Sequence, residues 1–215
     1  MFAGPQKSSV LAKWGEVAPA GSLGLVAPFV LTHRKSPVGQ KLWPHDPTTG
    51  EFRITEAGRT ALASLVESVA LLHASCVVFR SPETHSPSAA NREQLRTFFG
   101  ELATAEAIGV ERVWVPGGLW EVRAAVKLAG ELGVTCAIDP TVRDPNDPPE
   151  IHEDLEAEAL YFRIESAGRA GTLRAEKLED LAVLLEHYEH LPVTVAFASP
   201  ERWHDARNFK KLLDA

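Results

Sequence analysis

Residues 55–81 read TEAGRTALASLVESVALLHASCVVFRS, and their hydrophobic period changes once. From 55 to 74, Ala61, Leu65, Val69 and Leu72 recur at the spacing that lines one face of a helix. From 75 to 81 the pattern becomes a short continuous apolar run, the form taken by a strand buried on both faces of a parallel sheet. A helix that feeds such a strand is one repeat of an α/β fold, and the same alternation extends in both directions. Further strand-like runs are LGLVAPFVLT (23–32), RVWVPG (112–117), VTCAID (134–139), ALYFRIE (159–165) and VTVAFAS (193–199). Helical patterns cover 88–107, 119–133, 174–190 and 202–215. Ser88 is placed to cap the first of these, and Gly133 stands where a helix must stop before a strand.

These elements predict one α/β domain over residues 1–215, with parallel strands inside and helices outside. Neither GxGxxG nor GxxxxGK[ST] follows a strand, which favours a TIM-like parallel barrel over a doubly wound nucleotide-binding sheet. Six strands are readable where such a barrel has eight, so the barrel is expected to be incomplete. The open sheet edges then call for a homodimer or a protein partner to cover them. Two long connections, 36–54 and 140–158, stand out, and the Pro- and acid-rich second one reads as a solvated surface loop.

Composition narrows the function classes. The 215 residues carry a net charge of −7 and a pI near 5.6, which argues against a general nucleic-acid binder. A local basic patch remains at Arg34, Lys35 and Lys41. No run approaches the roughly 18 apolar residues of a membrane span, and the N-terminus MFAGPQKSSV lacks a secretory pattern, so a soluble cytoplasmic protein is expected. Cys76 and Cys136, the only two cysteines, lie in apolar runs and read as inert core residues. No cofactor fingerprint and no metal-ligand spacing occur, and neither a cofactor nor a metal is expected. The five tryptophans are read mainly as core.

Parallel α/β folds place their sites at the C-terminal ends of strands. The first run leads into Thr32, His33, Arg34 and Lys35, the second into Arg80, the fourth into Asp139, and the fifth contains Arg163 and Glu165. His33, Asp139 and Glu165 are the candidate acid/base groups, histidine suiting proton transfer by its near-neutral pKa. Thr32, Arg34, Arg80, Arg163 and Asn208 are the candidate substrate-binding residues, with the arginines suited to an anion. Arg163, inside an apolar strand, needs a partner, and Asp139 or Glu165 can supply it.

The order of these motifs resembles the YecE-like TIM-barrel proteins of domain-of-unknown-function family 72. Trp14 is followed by Val26-Ala27-Pro28 and Leu31-Thr32-His33, similar to that family's Trp and its strand ending in Ile-Thr-His. Phe79-Arg80-Ser81-Pro82 resembles its Phe-Gln-Leu-Pro-Pro strand end, and Tyr161-Phe162-Arg163-Ile164-Glu165-Ser166 its Tyr-Val-Arg-Phe-His-Gly segment. Val195-Ala196-Phe197 and the helix from Asn208 match its closing strand and last helix. The resemblance runs from Trp14 to the C-terminus and implies the barrel fold.

Departures bear on function. Val26 stands for a family Lys, Glu165 for a His, Ala198-Ser199-Pro200 for Asn-Asn-Asp, and 114–120 keeps only the Trp of a polar segment. The expected function is therefore a divergent, non-catalytic binding or accessory protein. The alternative is an enzyme acting on a small anionic substrate, with His33 moving the proton and Arg163 clamping the anion.

Overall fold

The computed structural model describes residues 2–35, 43–143, 145–148, 150–165 and 172–214. Within it the chain forms two units, Met1–Trp120 with Glu131–Val134, and Glu121–Gly130 with Thr135–Ala215.

In the first unit, β1 (Gly24–Val26), β2 (Cys76–Arg80) and β3 (Glu111–Val115) pair in parallel and in chain order. Parallel neighbours need a crossover, and α3 (Glu56–Leu72) and α4 (Ala89–Thr97) provide it. The helix face read from the sequence is the one buried: Ala61, Leu65, Val69 and Leu72 are all in the core. Thr55 caps α3 by accepting from the Gly58 N–H, and Ser88 caps α4 by accepting from the Asn91 N–H. Helix α1 (Ser8–Val17), which the sequence reading did not anticipate, lies so close to α3 that a Cβ on Gly15 would fall 2.0 Å from the Leu71 carbonyl oxygen.

The run 23–32 is not one strand. β1 stops at Val26, and Phe29–Thr32 form a helical turn, α2, closed by the His33 N–H on the Phe29 carbonyl at 2.6 Å. Pro28 fixes the backbone at its start. All four residues of the turn are fully buried, so periodicity carries no signal that separates helix from strand there.

The predicted helix over 88–107 also divides. After α4 the chain makes a π turn at Phe98–Leu102 and then the short α5 (Ala105–Ile108). The cause is visible at Arg112 on β3, whose buried guanidinium donates to the carbonyls of Phe99, Ala103 and Gly133. A buried charge needs such full satisfaction, and the carbonyls it takes are those a continuing helix would use. Gly133 adopts φ +64°, ending the next helix as expected.

In the second unit, β4 (Thr135–Ile138), β5 (Leu160–Ile164) and β6 (Val193–Phe197) are again parallel and in chain order. Helices α6 (Val122–Glu131, all but its last residue in this unit), α7 (Ala175–Glu186) and α8 (Arg202–Leu213) complete it. Its core gathers Phe162, Ile164, Leu178, Leu181 and Phe209. The 140–158 connection is not simply a solvated loop, because Ile151, His152 and Leu155 are buried. Tyr188 explains this: its hydroxyl accepts from the Leu155 N–H and donates to the His152 carbonyl, pinning the segment down.

The fold class is the expected one, α/β with six parallel strands among the described residues. Both cysteines are free and buried, and burial pushes the Cys136 thiol far above its usual pKa. Trp43 and Trp114 are core residues, whereas Trp14 and Trp203 are 54% and 74% exposed, against the core reading. No helix of the described residues is long and apolar enough to cross a membrane.

Candidate functional site

The short helix α2 delivers the first candidates at the C-terminal end of β1. Thr32 is fully buried, and its hydroxyl is hydrogen-bonded to His33 Nδ1 at 2.7 Å. The imidazole also packs edge-on against Phe2, with ring centroids 5.5 Å apart. Burial, and then the positive charge of Arg80 at the end of β2, lower the His33 pKa to about 4. His33 is therefore neutral at physiological pH.

A segment that the sequence reading left inside a long loop completes this end of the unit. Gly50, Glu51 and Phe52 have φ of +85°, +54° and +59°, three consecutive left-handed residues of which two are not glycine. Such backbone costs on the order of 1–3 kcal/mol per non-glycine residue and persists only where its surroundings enforce it. They do so here. The Glu51 N–H donates to the Thr32 carbonyl and the Phe52 N–H to the Leu31 carbonyl. Phe52 inserts among Phe98, Phe99 and His85, with centroids 5.2, 6.2 and 5.1 Å away. Gly50 lies against His33, where a Cβ would come within 2.3 Å of the His33 carbonyl group.

This clamp presents the Glu51 carboxylate to two guanidinium groups. Its Oε2 accepts from Arg34 at 2.7 Å and from Arg53 at 3.0 Å. Burial alone would raise the Glu51 pKa, but the hydrogen bond and charge of Arg34, reinforced by Arg53, outweigh it and hold the carboxyl below its ordinary value. The Arg80 charge acts on His33 at this same end of the unit.

The loop after β2 forms the next wall. His85 is buried, its pKa lowered by burial and partly restored by the charge of Glu51. Its carbonyl accepts from Trp120 Nε1 at 2.7 Å, and Trp114 Nε1 donates to the Ser81 hydroxyl at 2.8 Å. Arg92 stacks over the Trp120 ring, 4.8 Å from its centroid. Gly117 permits the close approach, since a Cβ there would lie 2.3 Å from the Pro82 carbonyl oxygen. His85 Nε2 and Arg53 Nε are buried without a hydrogen-bond partner among the described residues. The sequence signals for this half of the site were modest: the TTGEFR turn at 48–53 and the SPETHSP loop at 81–87.

The other predicted residues belong to the second unit. Asp139, just past β4, accepts from the Thr141 N–H and hydroxyl and from the Glu165 N–H at 2.7 Å. Glu165 pairs with Arg163, one of the two partners expected for that arginine. These three residues thus tie the ends of β4 and β5 together. Asn208 is half-buried on α8, one residue before the buried Phe209. The buried Asp205, which accepts from the Ser199 hydroxyl at 2.6 Å and the Leu173 N–H at 2.9 Å, fixes the start of α8. Within the first unit, Thr32 is bonded to His33, on which the charge of Arg80 acts, while Arg34 is taken by Glu51; Asp139, Arg163 and Glu165 come together within the second. Lys41, from the expected basic patch, lies outside the described residues. Among the described residues no group of three His, Cys, Asp or Glu side chains could hold a metal ion.

No protein-family model matches the chain, and no curated protein does. Solved structures do. A DUF72 family protein from Enterococcus faecalis superposes with a TM-score of 0.67 at 13% identity, covering 100% of this chain and 82% of that one. A DUF72 family protein from Thermotoga maritima gives a TM-score of 0.56 at 14% identity over the same shares. The chain therefore has a DUF72-like fold, as the motif order implied, of the incomplete TIM-like barrel kind.

Proposed function

We propose that this chain is a DUF72-like binding protein that takes a small anionic ligand at the C-terminal end of the first unit's strands. The observation that carries the reading is the pair of guanidinium groups, Arg34 and Arg53, that converge on one carboxylate oxygen of Glu51, whose N–H is bonded to Thr32 beside the neutral His33 on which the Arg80 charge acts. Guanidinium forks recognise carboxylate and phosphate in two-pronged fashion, and a neutral imidazole adds a hydrogen bond without repelling the other cations.

Binding is preferred to catalysis on the same residue. A general base works best with a pKa near the working pH, and a value of about 4 makes His33 a weak one. Asp139 and Glu165, the other candidate acid/base groups, are engaged with Thr141 and Arg163. A thermal-shift panel of phosphorylated metabolites, carboxylic acids, nucleotides and neutral sugars tests the reading. Anions raise the melting temperature and neutral sugars do not, and Arg80→Ala removes the response. A response to neutral sugars alone, or one that survives Arg80→Ala unchanged, overturns it.

A further inference from the structure

We infer that Glu51 is an internal substitute for the ligand's anionic group, so that an incoming anion binds by displacing its carboxylate from Arg34 and Arg53. The inference rests on the anion-binding reading of this site and adds the residue that sets its affinity. The geometry is specific. One carboxylate oxygen, Oε2, takes both guanidinium groups, at 2.7 and 3.0 Å. That is the contact a ligand phosphate or carboxylate would make with the same two arginines.

Glu51 reaches this place through a backbone its own residue type disfavours, φ +54° followed by +59° at Phe52. A merely solvated surface ion pair needs no such conformation. The clamp that enforces it is built from Phe52 in its aromatic nest and from amide bonds to Leu31 and Thr32, adjacent to the candidate binding residues Thr32 and His33. The side chain itself remains partly accessible, at 28%, and the Arg34 side chain more so, at 61%. An anion can therefore approach the pair from solvent while the backbone stays anchored. In this arrangement Glu51 offsets one of the two arginine charges without ligand and discriminates against weak or singly charged anions, which compete poorly with a tethered carboxylate.

The test compares wild type, Glu51→Gln and Arg80→Ala by calorimetric titration with inorganic phosphate and pyrophosphate at neutral pH. Glutamine keeps the shape but gives up the charge, so Glu51→Gln binds about tenfold more tightly than wild type, while Arg80→Ala loses binding. A second readout uses the wild type alone and does not depend on the variant folding. The Glu51 carboxyl resonance, followed by carbon NMR, titrates at a higher pH once pyrophosphate is added, because its guanidinium partners have been taken. If wild type binds pyrophosphate at an Arg80-dependent site but Glu51→Gln binds no more tightly, or the Glu51 titration does not move, the displacement inference is overturned and the anion site stands. If neither protein binds, or Arg80→Ala binds equally well, both readings fall.

Discussion

His33 shows how one residue's setting decides what it can do. As a free side chain it would change charge near neutrality; half-buried and beside Arg80, it waits until about pH 4. Its effect on stability follows. Between about 4 and the ordinary value of 6.5, the unfolded chain binds a proton that the folded chain refuses. The contribution is thus fully present above that window and is lost as pH falls through it. Allowing for the ring's partial exposure, about 1–2 kcal/mol is at stake. Urea midpoints at mildly acidic and neutral pH check this, with His33→Asn flattening the pH dependence relative to wild type. Equal slopes for the two proteins would mean that His33 titrates normally. The histidines His85 and His152, also pushed down by burial, act in the same direction and set the residual slope of the variant.

At the scale of elements, the same chain shows where sequence patterns speak and where they are silent. The α3 face, the Ser88 cap and the Gly133 stop were legible because period and end chemistry are local signals. The helical turn at Phe29–Thr32 was not, because total burial erases the period. The π turn was not, because its cause is Arg112, ten residues beyond its end at Leu102 and on another element. Helix α1 was missed although Val10, Leu11, Trp14 and Val17 recur at helical spacing; of these only Leu11 is buried. What seats α1 is instead the absence of a side chain at Gly15. Gly15→Ala places a methyl group against the Leu71 backbone and forces α1 away from α3, costing about 1–3 kcal/mol. Thermal or urea unfolding of the variant measures this, and a neutral or stabilising result would mean that α1 and α3 do not approach as closely as described.

At the scale of the whole chain, the fold was legible and the site only in part. Six apolar runs alternating with helical patterns specify a parallel α/β fold, and superposition on DUF72 family proteins at 13–14% identity shows the same fold with few side chains in common. Chemistry is less forgiving. Thr32, His33, Arg34 and Arg80 were picked out as candidates by looking at strand ends, although the strand before His33 had already stopped at Val26. His85 stands among the polar groups that follow the second strand in the sequence, but Glu51, Phe52 and Arg53 were not found. These three are brought in by left-handed backbone on non-glycine residues, which leaves no mark in composition or period. The proposed site is a cationic one beside a neutral histidine. It is tested most directly by following the His33 imidazole by NMR across the acid-to-neutral range, with and without inorganic sulfate, which stays charged throughout. The account predicts a midpoint of about 4 that sulfate raises, since a bound anion favours the imidazolium. A midpoint at the ordinary value of 6.5 that sulfate leaves unmoved would contradict it.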